Sequence, residues 1–331
     1  MRVAILYNVD GNLAAGTPAD DLAVTAVVTM AREVAAACTS LGFTAIAMPA
    51  PEDPELICAA LRSAKPDVVL NLCESLRGDA RLESAVAGLL ELVGIPFTGS
   101  GSKALALALD KPLAKAVMRD AGVPTPASRV LRSPGDDFEG LGYPVIVKPS
   151  REDASHGISF SSVCRSSEEV RARAKHVLDH YRQPALAEEF VDGREFNVAL
   201  LQAGGAVRVL PLSEIDFSGF PAGRPKLITY EAKWVEESPE YRGSVVVAAS
   251  NLPPKTEEQI IQVAKSAWAA LGLMGYGRVD MRLCERRGPL VLEVNPNPDL
   301  SRDAGFARAA GRGGIAYEQL VGHILHEAQR R

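Results

Sequence analysis

The alternation of apolar and polar positions changes style along the chain. Over residues 1–99 short apolar runs alternate with stretches of helical period. Residues 2–8 predict a strand, 21–41 an Ala/Val-rich helix, 44–48 a second strand, 55–64 a short helix and 68–72 a third strand entered through Pro66-Asp67. A helix over 81–92, closed by Gly94, and an apolar run over 95–98 follow. Strands separated by helices of this length imply a small parallel sheet. Gly99-Ser100-Gly101-Ser102 interrupts the pattern and leads into a predicted helix over 103–121, ended by Gly122 and Pro124. Beyond it the chain is strand-rich, with strands predicted over 144–148, 158–163, 185–191, 195–201 and 207–211 and one helix over 167–180. Residues 213–229 carry Gly219, Pro221, Gly223 and Pro225 without periodicity, so an irregular lid is expected there. A helix over 256–271, strands over 275–284 and 289–295 and a helix over 315–329 complete the pattern. The expected class is α/β plus α+β in three parts: a parallel-sheet domain over 1–99, a central α+β unit over 100–184 and a second α+β unit over 185–331.

Composition narrows the classes of function. With 47% hydrophobic and 23% charged residues in 331, the chain is neither disordered nor a small disulfide scaffold. A net charge of −5 without a basic stripe, and only 2 Trp, 7 Tyr and 9 Phe, argue against a nucleic-acid partner. The opening apolar run has the length of a strand, not of a signal peptide, and no stretch approaches the roughly 18–20 apolar residues of a membrane span. Five cysteines without a C-x-x-C suggest reduced thiols in a cytoplasmic protein. The pairs His176/His180 and His323/His326 have no third ligand nearby and read as solvated helix faces. The first predicted strand is not followed by G-x-G-x-x-G, which weakens a nicotinamide-binding reading.

The strongest chemical signal is the predicted hairpin over 277–295. Strand alternation places Val279, Met281 and Leu283 on one face and Arg278 and Asp280 on the other; on the return strand Leu292 and Val294 oppose Glu293 and Asn295. If the polar faces coincide, Asp280, Glu293 and Asn295 form an all-oxygen set suited to Mg²⁺ beside a guanidinium that would bind phosphoryl oxygens; a solvated polar face is the alternative. Lys148 ends the apolar run Val145-Ile146-Val147-Lys148-Pro149, and the Ser/Gly-bearing turn after it could cradle phosphate oxygens, or be a plain surface hairpin. Glu188-Glu189-Phe190-Val191 runs into Gly193-Arg194-Glu195, a strand edge with carboxylates suited to a purine or to an ordinary charged hairpin. Lys111 and Lys233 add two cations.

In order, Asp110-Lys111, Val147-Lys148-Pro149, Glu188-Glu189-Phe190, Gly193-Arg194-Glu195, Glu231-Ala232-Lys233, Arg278-Val279-Asp280 and Glu293-Val294-Asn295 resemble the ATP-grasp superfamily, and within it the D-alanine–D-alanine ligases. Gly94-Ile95-Pro96-Phe97-Thr98-Gly99-Ser100 and Ala121-Gly122-Val123-Pro124-Thr125-Pro126 are also similar to segments of that family. The resemblance implies an ATP-grasp fold with ATP clasped between the last two domains, and an ATP-dependent carboxylate–amine ligase that works through an acyl phosphate. It implies Lys111, Lys148 and Ser155 at the phosphates and Glu188 at the adenine amino group. The backbone of Glu189, Phe190 and Val191 would meet the ring edge, Glu195 the ribose, and Lys233 the γ-phosphate from the lid. Asp280, Glu293 and Asn295 would hold two Mg²⁺, with Mn²⁺ as an alternative, and Arg278 would stabilise the tetrahedral intermediate. The partners implied are small amino-acid-like acids and amines, and many relatives are homodimers.

The substrate side departs from the family. Ala154 and Trp234 stand where a serine and a tyrosine orient the first amino acid, Glu74-Ser75 replaces His-Gly, Asp299 replaces a glycine, and an expected serine falls at Ala304. Two D-alanines are therefore not the expected substrates, because a site lacking its carboxylate donors discriminates poorly for that carboxylate. Asp21, then Asp20, is the candidate acid for the first amino group, and Glu74, Trp234, Asp299 and Arg302 are candidates for an altered pocket. A D-alanine–D-alanine ligase proper and an ATP-binding module without catalysis are the alternative functions.

Overall fold

The structure is a computed structural model that describes residues 1–9, 14 and 26–330. Strand β1 (Arg2–Asn8) lies between β2 (Thr44–Ala50) and β3 (Val68–Asn71), and all pair in parallel. Alternation along β1 decides what packs where. Val3 and Ile5 face α1 (Ala26–Ser40), while Ala4 and Leu6 face α2 (Pro54–Ala64) and α3 (Glu83–Val93). The run at 95–98 contributes a single parallel bridge, Val69 to Phe97, in place of a fourth strand. The helix expected over 103–121 is two helices, α4 (Ser102–Leu109) and α5 (Lys111–Asp120). Asp110 divides them: its backbone leaves the helical region at φ −79°, ψ 86°, and its carboxylate accepts the Leu113 amide at 3.1 Å as an N-cap.

The central sheet has the order β4-β7-β5-β6, formed by β4 (Ser128–Leu131), β5 (Val145–Pro149), β6 (Val163–Cys164) and β7 (Ala185–Glu189), with α6 (Ser167–Tyr181) packed on one face. Because β7 pairs with both β4 and β5, the central unit extends through Glu189, and a boundary at 184/185 falls inside its sheet. The strand expected over 158–163 is a short 3-10 turn, Phe160–Ser162. There the Ser162 hydroxyl accepts the Ser159 amide at 3.1 Å, a local bond that competes with strand pairing.

The third sheet runs β11-β10-β8-β12-β13, with β9 also on β8. Its strands are β8 (Arg194–Ala203), β9 (Ala206–Val209), β10 (Ser213–Asp216), β11 (Val245–Ala248), β12 (Tyr276–Cys284) and β13 (Gly288–Asn295). The first four residues of the expected lid are thus strand β10, held between β8 and β11. The irregular remainder of the expected lid is 217–229, followed by the short helices α7 (Tyr230–Trp234) and α8 (Pro239–Gly243). One face of this sheet packs on α9 (Pro254–Leu271), α4 and α5 through Phe196, Val198, Val279, Met281, Val291 and Val294. Helices α10 (Gly305–Arg312) and α11 (Tyr317–Ala328) return to share one core with β1 and α1. No helix among the described residues is long and apolar enough to cross a membrane.

Candidate active site

The polar face of the third sheet is the floor of the site. Glu195 and Asn197 on β8, and Arg278, Asp280 and Arg282 on β12, alternate with the core residues and so share that face. Pairing sets Asp280 directly opposite Glu293 and Arg278 opposite Asn295. A β-bulge between Asp280 and Met281 shifts the register, so Met281 faces Val291. The expectation that Leu292 shares a face with Val294 fails for this reason. The extra residue turns Leu292 into the cleft, while Val291 and Val294 both enter the core.

Two cavities of about 450 and about 440 Å³ meet here, sharing Lys233, Arg278 and Asn295 in their walls. The smaller lies between the central and third sheets. It is lined by Lys148, Ser155, Glu188, Glu189, Phe190, Val191, Glu195, Lys233, Asp280 and Glu293, which brings most of the sequence-predicted residues together. Lys111 opens α5 just behind this wall, fully buried. Its ammonium donates to the Glu152 carbonyl at 2.6 Å and lies 3.5 Å from Glu293 and 3.3 Å from Asp153. Burial opposes its charge, but Asp153 and Glu293 outweigh that and hold its pKa above the ordinary lysine value. Burial likewise pushes Glu293 upward, yet Lys111, Lys148, Arg278 and Lys233 keep it well below the usual carboxylate range. Asp280 accepts two hydrogen bonds from Arg278, both 2.7 Å, and one from Asn197 at 2.8 Å. The Asp280 and Glu293 carboxylates and the Asn295 amide form a hard-oxygen set whose chemistry fits Mg²⁺.

Glu188 is enclosed by cations, with Lys115 at 2.6 Å and Lys148 at 3.2 Å. Burial raises its pKa and the two lysines more than offset that. The side chains of Lys115 and Glu188 are each only 1% exposed, and burial pushes Lys115 down to about 8. Arg282 reaches Glu195 through Nε at 2.8 Å, and its Nη2 donates to the Lys226 carbonyl of the lid at 2.6 Å. Lys115, Asn197 and Arg282 were missed by sequence reasoning, although each repeats the spacing of a predicted residue: Lys115 one helical turn after Lys111, the other two at strand period from Glu195 and Asp280. The amides of Glu189 and Phe190 are already committed, to the carbonyls of Ala127 at 2.9 Å and Pro144 at 3.0 Å.

The phosphate-turn candidate is sharply bent, with Ala154, Ser155 and Gly157 all in the left-handed region. For the first two this costs on the order of 1–3 kcal/mol each, a strain typical of functional sites. The Trp234 indole N–H donates to the Ala154 carbonyl at 3.0 Å. Two of the positions that depart from the resembled pattern, Ala154 and Trp234, therefore touch each other and tie α7 to the turn.

The larger cavity contains Glu74, Trp234 and Asp299 together with Glu83, Asp153, Asn297 and Ala304. Burial, then the Asp299 carboxylate, pushes Glu74 up to about 7, against the pull of Lys233. Arg302 is not in this wall. Its guanidinium pairs with Glu318 and stacks over the Tyr317 ring, and these two contacts hold it away from the cavity. Asp21 and Asp20 lie outside the described residues. Since the folded pKa of Glu74 is raised, its stabilising contribution is complete below the usual 4.5 and is lost as pH rises through about 7. Glu74→Gln removes that loss. Chemical denaturation is expected to show the variant matching the parent near pH 4.5 and exceeding it by about 1–3 kcal/mol at pH 8; an equal gain at both pH values would contradict this.

A cleft of about 440 Å³ between two antiparallel sheets, with lysines, arginines and carboxylates in its walls, is the arrangement of the ATP-grasp class. The whole chain superposes on the Bacillus anthracis D-alanine–D-alanine ligase solved in complex with ATP, with a TM-score of 0.77, covering 100% of this chain and 98% of that one. At 20% identity that likeness speaks to the fold. The family model described as the D-ala D-ala ligase C-terminus matches residues 118–326. The D-alanine–D-alanine ligase of Bordetella avium is 36% identical over 257 residues, 77% of this chain and 76% of its own length. A Sinorhizobium fredii protein named uncharacterized protein y4sG is 34% identical over 268 residues, 80% and 75% of the two lengths. The chain belongs to the D-alanine–D-alanine ligase family and is an ATP-dependent carboxylate–amine ligase.

Proposed function

We propose that this ligase joins an amino-acid-like acid to an amine other than D-alanine, using Mg²⁺·ATP. The observation that carries the reading is the junction of the two cavities at Lys233, Arg278 and Asn295, which gives an acid held in one cavity direct access to a phosphate held in the other.

In this reading Val191 offers its amide to the adenine edge, Glu188 meets the amino group and Glu195 the ribose. Both Glu195 and Glu188 are held in place by buried cations. Lys111, Lys148, Ser155 and Lys233 bind phosphate oxygens, and Asp280, Glu293 and Asn295 would hold two Mg²⁺. When bound, the metal neutralises the charge that builds on the transferring phosphoryl group. Lys233 and Arg278 hold the substrate carboxylate in line with the γ-phosphate, and its oxygen displaces ADP to give the acyl phosphate. The lid at 217–229 excludes water that would otherwise hydrolyse this product. The amine then attacks the acyl carbon, Arg278 holds the negative oxygen that forms, and phosphate departs as the amide nitrogen loses its proton.

D-alanyl-D-alanine synthesis is the second reading, favoured by the relatives that carry that name. Against it stand Asp299 and Ala304 in the cavity wall. ADP release is expected only with Mg²⁺, an acid and an amine together, and to stop on chelation. Turnover indifferent to a broad panel of acids and amines would overturn the ligase reading. Efficient dipeptide formation from D-alanine alone would leave the ligase class standing and overturn the choice of amine.

A further inference from the structure

The larger cavity carries charges of both signs, and Arg81, Arg151 and Arg182 line it as well as its acids. Where it meets the nucleotide cavity the two share Lys233 and Arg278 together with Asp153, which is paired with Lys111. Away from that junction, three carboxylates arrive from separate parts of the chain: Glu74 from the turn after β3, Glu83 from the first turn of α3 and Asp299 from the loop after β13. Other acids in this wall have partners. Asp79 is paired with Arg81, Asp153 with Lys111, and Glu152 with Gln183 and His156.

Among the described residues, by contrast, Glu74, Glu83 and Asp299 have no cationic side chain within salt-bridge distance. Asp299 accepts only the amide and hydroxyl of Ser301, at 2.8 and 2.6 Å, and Glu83 accepts the Asn297 amide nitrogen at 3.0 Å. Each carboxylate feels another. Burial and Asp299 raise Glu74, while burial and Asp153, with Glu74 behind them, raise Glu83. Glu83 is buried, Glu74 half-buried and Asp299 exposed. Lys233 and Arg278 act on Glu74 and Asp299 only from beyond salt-bridge distance, so a protonated nitrogen seated among the three acids lowers the cost of holding them together.

The acid to be phosphorylated belongs at the junction with Lys233 and Arg278, beside the nucleotide. The amine approaches its acyl carbon from the other side, where the three carboxylates lie. We infer that the amine substrate carries a second, protonated nitrogen, as in a diamine or a basic amino acid, and that Glu74, Glu83 and Asp299 bind that nitrogen. The inference rests on the ligase reading for which end of the cavity receives the acid. The wall matches a dication in another respect. Ala304 presents a methyl group, and its backbone amide is already given to the Ser301 carbonyl at 3.0 Å, so neither offers a donor to an anionic group.

Calorimetric titration of the full chain, with and without Mg²⁺·ATP, tests this with five probes: 1,4-diaminobutane, lysine, n-butylamine, norleucine and D-alanine. At least one of the first two is expected to bind at least about tenfold more tightly than its singly charged counterpart and than D-alanine. Diaminobutane against lysine shows whether a carboxylate is tolerated beside the reacting nitrogen. In a Glu74→Gln/Asp299→Asn variant the preference should collapse to near parity; Asp299→Asn alone serves if the pair does not fold. Equal binding of dications and their neutral-tailed counterparts, tighter binding of D-alanine, no binding of either dication at millimolar concentration, or a preference that survives the variants would each overturn the inference. A parallel ATP titration reports on the ligase reading separately, since failure to bind ATP refutes that reading whatever the amines do.

Discussion

Replacing Arg278 by lysine is expected to lower kcat by two to three orders of magnitude, with KM for ATP changed only a few-fold. Lysine preserves the charge, so the result isolates geometry. The guanidinium donates two parallel hydrogen bonds to Asp280, both 2.7 Å, and that fork fixes its plane where the two cavities join. Burial alone would weaken its charge, but Asp280, Glu293 and Asp299 more than offset that, so it stays cationic throughout the working pH range. An ammonium on a flexible stem can meet only one oxygen of Asp280 and cannot hold the oxyanion position at the same time. Losing one preorganised donor of this kind costs about 10²–10³ in rate. Single-turnover ADP release with a productive acid–amine pair separates the steps. Acyl-phosphate formation should be affected less than amide formation, and a change confined to KM for ATP would place Arg278 in nucleotide binding instead.

The second large effect concerns Arg282. Its side chain is 2% exposed and pairs with Glu195, which is 10% exposed. Arg282→Met strands that carboxylate, and breaking a buried pair from one side costs about 3–5 kcal/mol. The midpoint of chemical denaturation should fall accordingly. The double variant Arg282→Met/Glu195→Leu should recover most of the stability while ATP affinity remains impaired, because the loss then lies in the ribose contact and not in the fold. Since Arg282 also donates to the Lys226 carbonyl in the lid and, at 3.3 Å each, to the Val191 and Gly193 carbonyls, the single variant should raise KM for ATP as well. A double variant with normal ATP affinity would remove Glu195 from the nucleotide site.

What the sequence made legible follows from how local each cause is. β1 and the 276–295 hairpin could be read because period-two alternation is written into adjacent residues; it set Arg278 with Asp280 and Glu293 with Asn295, and the pairing of β12 with β13 brings the two sets onto one face. Leu292 was placed wrongly because a bulge depends on the register of the partner strand, which alternation within one strand does not encode. β10 was taken into the lid because four residues, Ser-Glu-Ile-Asp, become a strand only through pairing with β8 on one side and β11 on the other. The segment 158–163 failed for the opposite reason, since its serines satisfy the backbone locally. Arg302 failed because its guanidinium is claimed by Glu318 and Tyr317, contacts made by α11 that its own segment does not encode. Arg282, Asn197 and Lys115 carried a readable signal at the right spacing, but a buried basic or amide residue with no motif around it looks like any surface residue until burial is known.

The core that β1 and α1 share with α10 and α11 has a consequence for how the polypeptide acquires its shape. Val3, Ile5 and Val34 belong to the same core as Leu320, Val321, Ile324 and Leu325, side chains that follow much later in the sequence. The parallel sheet cannot be fully covered until those residues have been made, whereas the central sheet has its covering helix α6 within its own span. The order of maturation on the ribosome is therefore expected to differ from the order of synthesis, with the central sheet becoming protected before the parallel sheet that precedes it.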